Sequence, residues 1–423
     1  MPQSPAESYV RDELYERTRR PVARATTLIR EAYVSEEFFA VERERVFASG
    51  WVAVGCAEAV REPGDVLVVD LAGRSVLVAR GRDGALRAFY NVCRHRGTRL
   101  LDSGERRAGR FIRCPYHHWA YDLEGRCVGT PLFIDSGIPE EQRAIFATDH
   151  APAFDRGDHG LLGVAVATFG PLVLLNLDRE PEPLADHLGD LPERLAGYRL
   201  DEWRLTRTAR YRVAANYKLV AENFMEYYHL PWVHPGLVKV SPLEAHHRWQ
   251  GTGMYSGMCT SPIAQDTEDG GWQTLDPLPG LSEDDALSAR FIWLFPNVAL
   301  NVLPNHIFLI HATPLAAGVT EETTFLLTRP DTVEDRAAQE AIDRLAAFWD
   351  TINREDIAIV QRVQDGLRTT PFPGGPMCYR FEEPVHRFQN MIADRMVGLR
   401  RVPAGDGTAQ TPMFTAAEQP LSS

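Results

Sequence analysis

The sequence predicts an α+β protein in which a small all-β unit precedes a larger mixed unit, and three observations support this. Short Val- and Leu-rich runs broken by tight-turn residues fill the stretch from Trp51 to Gly129. Strand-like runs return at "GVAVATFGPLVLLNL" and "RFIWLFPNVALNVLPNHIFLIHATP". Helical stretches around 212–230 and 334–366 lie between and after them, as in a sheet that carries helices. At 423 residues the chain exceeds one ordinary core, so more than one structural unit is expected.

Residues 1–45 read as helical, with "SEEFFAVERERVF" opening on a Ser35 cap followed by acidic residues in the first turn. "DVLVVDLAGRSVLVARGRDGALRAFYNV" reads as antiparallel hairpins turning at "LAGR" and "RDG", and "AYDLEGRCVG" turns at Glu124–Gly125. The chain shows no internal repeat, and its tail after Arg401 is small and polar, as in a flexible end.

Composition removes several classes. Lys plus Arg is 45 against 58 for Asp plus Glu, a net charge of −13, which disfavours a nucleic-acid partner. No apolar run is long enough to span a bilayer, so no membrane association is expected. The N-terminal "MPQSPAESYVRDELYERTRR" lacks the apolar core of a secretory signal. Six irregularly spaced cysteines make no disulfide framework, so the cytoplasm is the expected compartment.

Two constellations carry chemistry. Cys93 and His95 in "CRH" are followed, after 18 intervening residues, by Cys114 and His117 in "CPYHHW". Each pair follows a strand-like run, so two hairpin loops can face each other around one centre. Thiolate favours ferric iron and imidazole tolerates ferrous iron, a donor set suited to a [2Fe–2S] cluster of the Rieske type. The same four residues also suit a Cys₂His₂ zinc site, although zinc knuckles more often use Cys-x₂-Cys pairs. Trp119 suits an apolar cover, His118 is out of register and reads as a non-ligand, and Cys56, Cys127, Cys259 and Cys378 read as small core residues.

The second constellation is "NYKLVAENFMEYYHLPWVHPG", from Asn216 to Gly236. On a helix, Glu222, Glu226 and His229 would share one face. Pro231 should break that helix near His229, which lets His234 converge with His229 on one ion. Two histidines and one carboxylate make the facial triad of non-haem Fe(II) oxygenases. The carboxylate is sought at Asp356, an acid within the apolar stripe Ile342, Leu345, Trp349, Ile352, Ile359, Val363. A buried carboxylate needs a counter-charge, either a metal ion or an Arg partner. Glu355 falls on the polar face, and Gly366 reads as the end of the helix.

With both constellations in order, the chain resembles the catalytic (alpha) subunits of Rieske non-haem iron oxygenases. The resemblance rests on "CRH", "CPYHHW", "ENFMEYYHLPWVHP" and "EDIAIVQRVQDGL", and runs from about Ser35 to about Met396. It implies that Cys93, His95, Cys114 and His117 hold a [2Fe–2S] cluster and that His229, His234 and Asp356 hold a mononuclear Fe(II). Glu226 would link His229 to a cluster histidine, His117, of the neighbouring subunit, which implies a head-to-tail homotrimer. Asn223 would stand beside the iron. The implied fold is a helical segment over 1–45, a small all-β Rieske [2Fe–2S] domain over 46–150, a helix-grip catalytic domain with a large antiparallel sheet over 151–400, and a flexible tail over 401–423.

The resemblance further implies electrons from NAD(P)H through a separate reductase or ferredoxin, since "GTGMYSG" lacks the spacing of a dinucleotide loop. O₂ and a small organic substrate would be the other reactants. His118 stands where the family usually has a small residue, and the loop spacing is slightly long. Glu226 replaces the commoner Asp, which leans towards the choline, carnitine and glycine-betaine branch.

Three functions stay open at this point: a monooxygenase or oxidative demethylase of an amine, quaternary ammonium compound or natural product; a ring cis-dihydroxylating dioxygenase; and a non-catalytic zinc or electron-transfer protein. Tyr227, Tyr228, Trp232, Tyr255 and Trp293 would line a substrate pocket or pack in the core.

Overall fold

The computed structural model describes residues 8–131, 154–263, 275–333, 335–369 and 371–402, and the backbone of 411–412. The expected tail, 401–423, lies almost wholly outside these residues.

Ser35 caps the first regular helix as expected: its Oγ accepts the Phe38 amide at 3.1 Å, and α1 runs Glu36–Glu42 with Glu36 and Glu37 in its first turn. The rest of the N-terminal segment is broken into short turns, because Pro21 and the extended Ser35 interrupt it.

Strands β1 (Val52–Cys56), β2 (Asp65–Leu71), β3 (Arg74–Arg80), β4 (Leu86–Tyr90) and β5 (Gly104–Arg107) follow. A small sheet of β6 (Ile112–Arg113), β7 (Ala120–Tyr121) and β8 (Cys127–Gly129) comes next. Strands β9 (Gly163–Phe169) and β10 (Leu172–Asn176) lie beyond residue 150 and return to the first sheet, whose antiparallel order is β1-β10-β9-β4-β3-β2-β5. Ala72 and Gly73, both at positive φ (52° and 75°), make the two-residue turn whose twist matches β2 and β3.

The second sheet has the order β11-β17-β16-β15-β14-β13-β12-β18. In chain order these are β11 (Arg204–Val213), β12 (His246–Arg248), β13 (Tyr255–Thr260), β14 (Ala289–Leu294), β15 (Val298–Val302), β16 (Ile307–Ala316), β17 (Val319–Thr328) and β18 (Thr411–Pro412). Its middle strands are buried on both faces. In β14, Phe291 and Trp293 pack into one core while Ile292 and Leu294 pack into another. That explains why these runs are continuously apolar rather than alternating. The two sheets meet where Asn297 Nδ2 and the His311 ring both bond the Ala53 carbonyl, at 3.0 and 2.9 Å.

Helices carry the rest: α2 (Tyr217–Phe224), α3 (Leu230–Val233), α4 (Arg336–Thr369) and α5 (Glu383–Met396). Two expectations need correction. The stretch 212–230 is not one helix, since β11 extends to Val213 and α2 ends at Phe224. Gly366 does not end α4, which continues to Thr369, just ahead of Pro371. The buried line of α4 also differs beyond Trp349, running through Asn353, Val360, Gln364 and Leu367 while Val363 is exposed. Two polar residues occupy it because each is paired. Asn353 Nδ2 bonds Glu322 at 2.5 Å, and Gln364 accepts the Asn216 amide at 2.8 Å.

The N-terminal segment is locked to α2 by an ion pair excluded from water. Lys218 Nζ reaches both oxygens of Glu42 at 2.8 Å, and the Tyr217 hydroxyl donates to the same carboxylate at 3.0 Å.

Burial sets the acid response of the fold. It pushes His187, His246 and His306 down to about 3 and His311 down to about 4, so the folded chain holds all four neutral. It pushes Glu222 and Glu322 up to about 7. Below about pH 6.5 the unfolded chain protonates the four histidines and the folded chain does not, so they cost stability as pH falls. The two glutamates act in the opposite sense, because the fold holds protons that the unfolded chain has released. Over these six groups the unfolded chain is thus richer by about two protons near pH 5.5, at roughly 1.4 kcal/mol per pH unit for each. The urea midpoint is expected to drop between about pH 6.5 and about pH 5; a flat or rising midpoint would show that these histidines are not neutral in the fold.

Candidate metal centres

The turn between α2 and α3 builds one centre. Helix α2 stops early because the Glu226 carboxylate accepts the amides of Tyr228 and His229, competing with continued helix. Pro231 then sits at the start of α3, where its missing amide costs nothing. Glu226 and His229 therefore meet through this turn and not along one helix face. Glu222 points elsewhere, accepting from Tyr33 and Gln389 at 2.8 and 2.9 Å in the core.

The turn brings His229 and His234 to Asp356 on α4. Asp356 Oδ1 lies 2.8 Å from His234 Nε2 and 3.5 Å from His229 Nε2. Among the described residues, these three form the group of His, Cys, Asp or Glu donors lying within 4.8 Å of one another. Asp356 keeps 26% of its side chain exposed, against 1% for His234. Its partners are the two imidazoles rather than an Arg.

Each imidazole has a carboxylate on its other nitrogen. Glu226 Oε1 lies 2.6 Å from His229 Nδ1, and Glu355 Oε2 lies 2.6 Å from His234 Nδ1. Held this way, both rings turn Nε2 towards the common point, the arrangement that metal-ligating histidines use. Burial opposes charge on His229, but Asp356 and then Glu226 outweigh it and lift its pKa to about 10. His234 is raised by the same balance, with Asp356 and Glu355 as its partners. Three carboxylates around two imidazoles leave an excess of negative charge that a divalent cation neutralises, so the donor set fits a metal ion. Asn223 Nδ2 stands 3.5 Å from His229 Nε2.

A cavity opens on this cluster, enclosing about 540 Å³ when its solvent-facing part is counted. Phe224, Tyr227, Phe291, Phe308 and Trp349 supply its aromatic walls. Of the five aromatic residues expected there, only Tyr227 lines it. Tyr255 and Trp293 are buried in the core, and Tyr228 and Trp232 are exposed.

The other centre lies at the ends of β4 and β6. Asn91, fully buried, ties down the first loop by donating to the Leu101 carbonyl at 2.7 Å and accepting its amide at 3.1 Å. The second loop closes as the Cys114 amide donates to the Trp119 carbonyl at 2.8 Å. His118, with φ of 58°, occupies the left-handed position in this loop, where a residue without Cβ fits more easily.

Cys93 and Cys114 are buried, while His95 is half-buried and His117 is exposed. The indole of Trp119 stacks on His95 at 5.0 Å. Burial raises the Cys114 thiol, but the amides of Tyr116 and His117, with Cys93 and Thr98, outweigh it and hold the group below its usual value. No three of these four donors fall within 4.8 Å of one another. A single tetrahedral zinc would draw its donors to about 4 Å apart, whereas a diiron cluster spaces them more widely. Thiols inside and imidazoles outside suit a cluster with one Cys-bound and one His-bound iron.

Residues 50–135 match the Rieske [2Fe-2S] domain, and residues 200–398 match the ring hydroxylating alpha subunit (catalytic domain). The chain belongs to the Rieske non-haem iron oxygenases. It is 28% identical to the glycine betaine monooxygenase oxygenase subunit of Chromohalobacter salexigens, over 86% of this chain and 84% of that one. It is also 28% identical to the carnitine monooxygenase oxygenase subunit of Escherichia coli, over 83% and 86% of the two chains. Its fold is that of the quaternary ammonium Rieske monooxygenase CntA, with a TM-score of 0.74 at 24% identity, over 90% of this chain and 97% of that one.

As a Rieske oxygenase, the chain carries one device that its sequence concealed. Glu355 sits on the polar edge of α4, and only the approach of His234 gives it a partner. Asn353 was legible in principle, as a polar residue within a buried stripe. Asp356→Ala is expected to abolish ferrous-ion binding while the cluster absorbance persists. Glu355→Ala is expected to weaken that binding by about 10- to 100-fold. Anaerobic iron titration measures both, and full retention in both variants would place the ion elsewhere.

Proposed function

We propose that this chain is the oxygenase component of a monooxygenase that hydroxylates or oxidatively demethylates a small amine or quaternary ammonium compound. In this reading Cys93, His95, Cys114 and His117 hold the [2Fe–2S] cluster, and His229, His234 and Asp356 hold Fe(II). The domain division follows the two centres, 46–150 for the cluster and 151–400 for the iron, with β9 and β10 reaching back into the first sheet. The observation that carries the reading is a carboxylate-clamped pair of histidines sharing Asp356 in the lining of an aromatic-walled cavity.

When bound, the cluster supplies single electrons and the ferrous ion supplies O₂ activation. The residues of the chain do the rest. Glu226 and Glu355 hold the Nδ1 side of both rings, so neither imidazole can turn away. The apolar walls exclude water and hold the substrate close to the donor cluster. Phe308 and Trp349, stacked at 4.8 Å, offer aromatic surface to an ammonium group.

The assembly we infer is a head-to-tail homotrimer in the cytoplasm, reduced by a separate reductase or ferredoxin that draws on NAD(P)H. Two exposed aromatic surfaces support it. Tyr116, 59% exposed, flanks His117, and Trp232, 72% exposed, stands with Tyr228 beside the Glu226 turn. Two different patches that pair with each other make a heterologous contact, which a three-fold ring closes. Glu226 would then connect His229 to His117 of the partner subunit.

Oxygen labelled in both atoms tests the chemistry. One label in a hydroxylated product, or one formaldehyde released per O₂ consumed, is expected; two labels in one product would make the enzyme a cis-dihydroxylating dioxygenase. Trp232→Glu tests the assembly: sedimentation should shift from trimer to monomer, with single-turnover electron delivery lost while both metals stay bound. An intact trimer with unchanged electron delivery would remove this surface from the interface.

A further inference from the structure

Resting on that oxygenase reading, we propose that the cavity selects a substrate without a carboxylate: a neutral or cationic molecule with an apolar body and a hydrogen-bond donor. The charge of the lining is the first ground. Among the described residues, no Lys or Arg lines the cavity, and its carboxylates are Glu226 and Asp356. Of the residues outside the described set, Arg143 is the sole Lys or Arg in the sequence.

The neutral polar groups point the same way. Asn301 donates its amide nitrogen to the Phe308 carbonyl at 2.8 Å, and Asn353 donates its own to the Glu322 carboxyl at 2.5 Å. Each amide thus commits one hydrogen to the protein and keeps a carbonyl oxygen as acceptor. The Ser241 hydroxyl is engaged between His246 Nε2 at 3.1 Å and Thr260 Oγ1 at 2.7 Å. The Tyr227 hydroxyl is a neutral donor in the wall, and a neutral hydrogen bond offsets little of the lost hydration of a charge.

A carboxylate meets only neutral donors here and, among the described residues, no Lys or Arg side chain to offset its charge. Stripping it of water in such a place costs several kcal/mol. An ammonium or amide N–H instead finds carbonyl oxygens and the faces of Phe308 and Trp349. Glycine betaine and carnitine both carry a carboxylate, so the inference separates this chain from the relatives bearing those names.

The test is calorimetric titration of the metal-loaded protein with matched pairs differing only in the carboxyl group. Suitable pairs are glycine betaine and its methyl ester, carnitine and its methyl ester, and 3-phenylpropanoate and its amide. The uncharged carboxyl form is expected to bind at least about 30-fold more tightly than the acid in every pair that binds. An acid binding as tightly as its ester or amide overturns the inference, as does a panel in which nothing binds. Ile352→Lys, which adds a cation to the wall, is expected to narrow the preference at least about tenfold; an unchanged preference would show that the wall does not set it. Labelled-oxygen incorporation into any bound probe separates the two readings. An oxygenated carboxylate would keep the oxygenase function and sink this one, while tight binding of esters without oxygenation would do the reverse.

Discussion

The catalytic half of the molecule depends on one constraint: two imidazoles must present Nε2 to a single oxygen of Asp356. The local chain supplies only one hold, that of Glu226 on His229 three residues away. His229 lies in a turn, His234 follows a one-turn helix, and Asp356 lies on a helix far away in sequence. The constraint is met because Glu226 and Glu355 grip the rings from behind, at 2.6 Å each. Without those grips, three carboxylates and two histidines would relax into ordinary ion pairs. With them, the site keeps an uncompensated negative charge aimed at the cavity.

The scaffold explains why that geometry can persist. Helix α2 is bonded on several sides by buried groups. Asn216 caps it through Lys218 at 2.9 Å and donates to the Ala317 carbonyl at 2.6 Å, while Gln364 of α4 accepts the Asn216 amide. The Glu42–Lys218 pair beneath it is fully dry, so mutual attraction largely offsets the cost of desolvating two charges. Its contribution is to fix register. Any shift of α1 against α2 would strand a charge in the core, and the turn that carries Glu226 and His229 would move with it.

The cluster unit solves a different electrostatic problem. Amide N–H groups around Cys114 stabilise negative sulfur there against the cost of burial. The imidazoles beside them reach outwards, where a proton and an electron can be exchanged with another surface. Exposed aromatic residues flank both this outlet and the Glu226 turn. Among the described residues, both surfaces are therefore open to another protein.

Local chemistry was readable along the chain. Ser35 as a cap, the Glu124–Gly125 turn and the strand-then-loop position of Cys93 and Cys114 depend on neighbours a few residues away, so local pattern suffices for them. The donor trio His229, His234 and Asp356 was also legible, because an acid in an apolar stripe and a proline after a histidine are anomalies of spacing. What tertiary structure alone decided was every partner brought in from a distance. The burial of Asn353 and Gln364, the grip of Glu355 on His234 and the absence of Tyr255 and Trp293 from the cavity all follow from which surfaces meet. Hydrogen bonds formed across elements offset the burial of polar groups, and no periodicity in a sequence records where the other half of such a bond will come from.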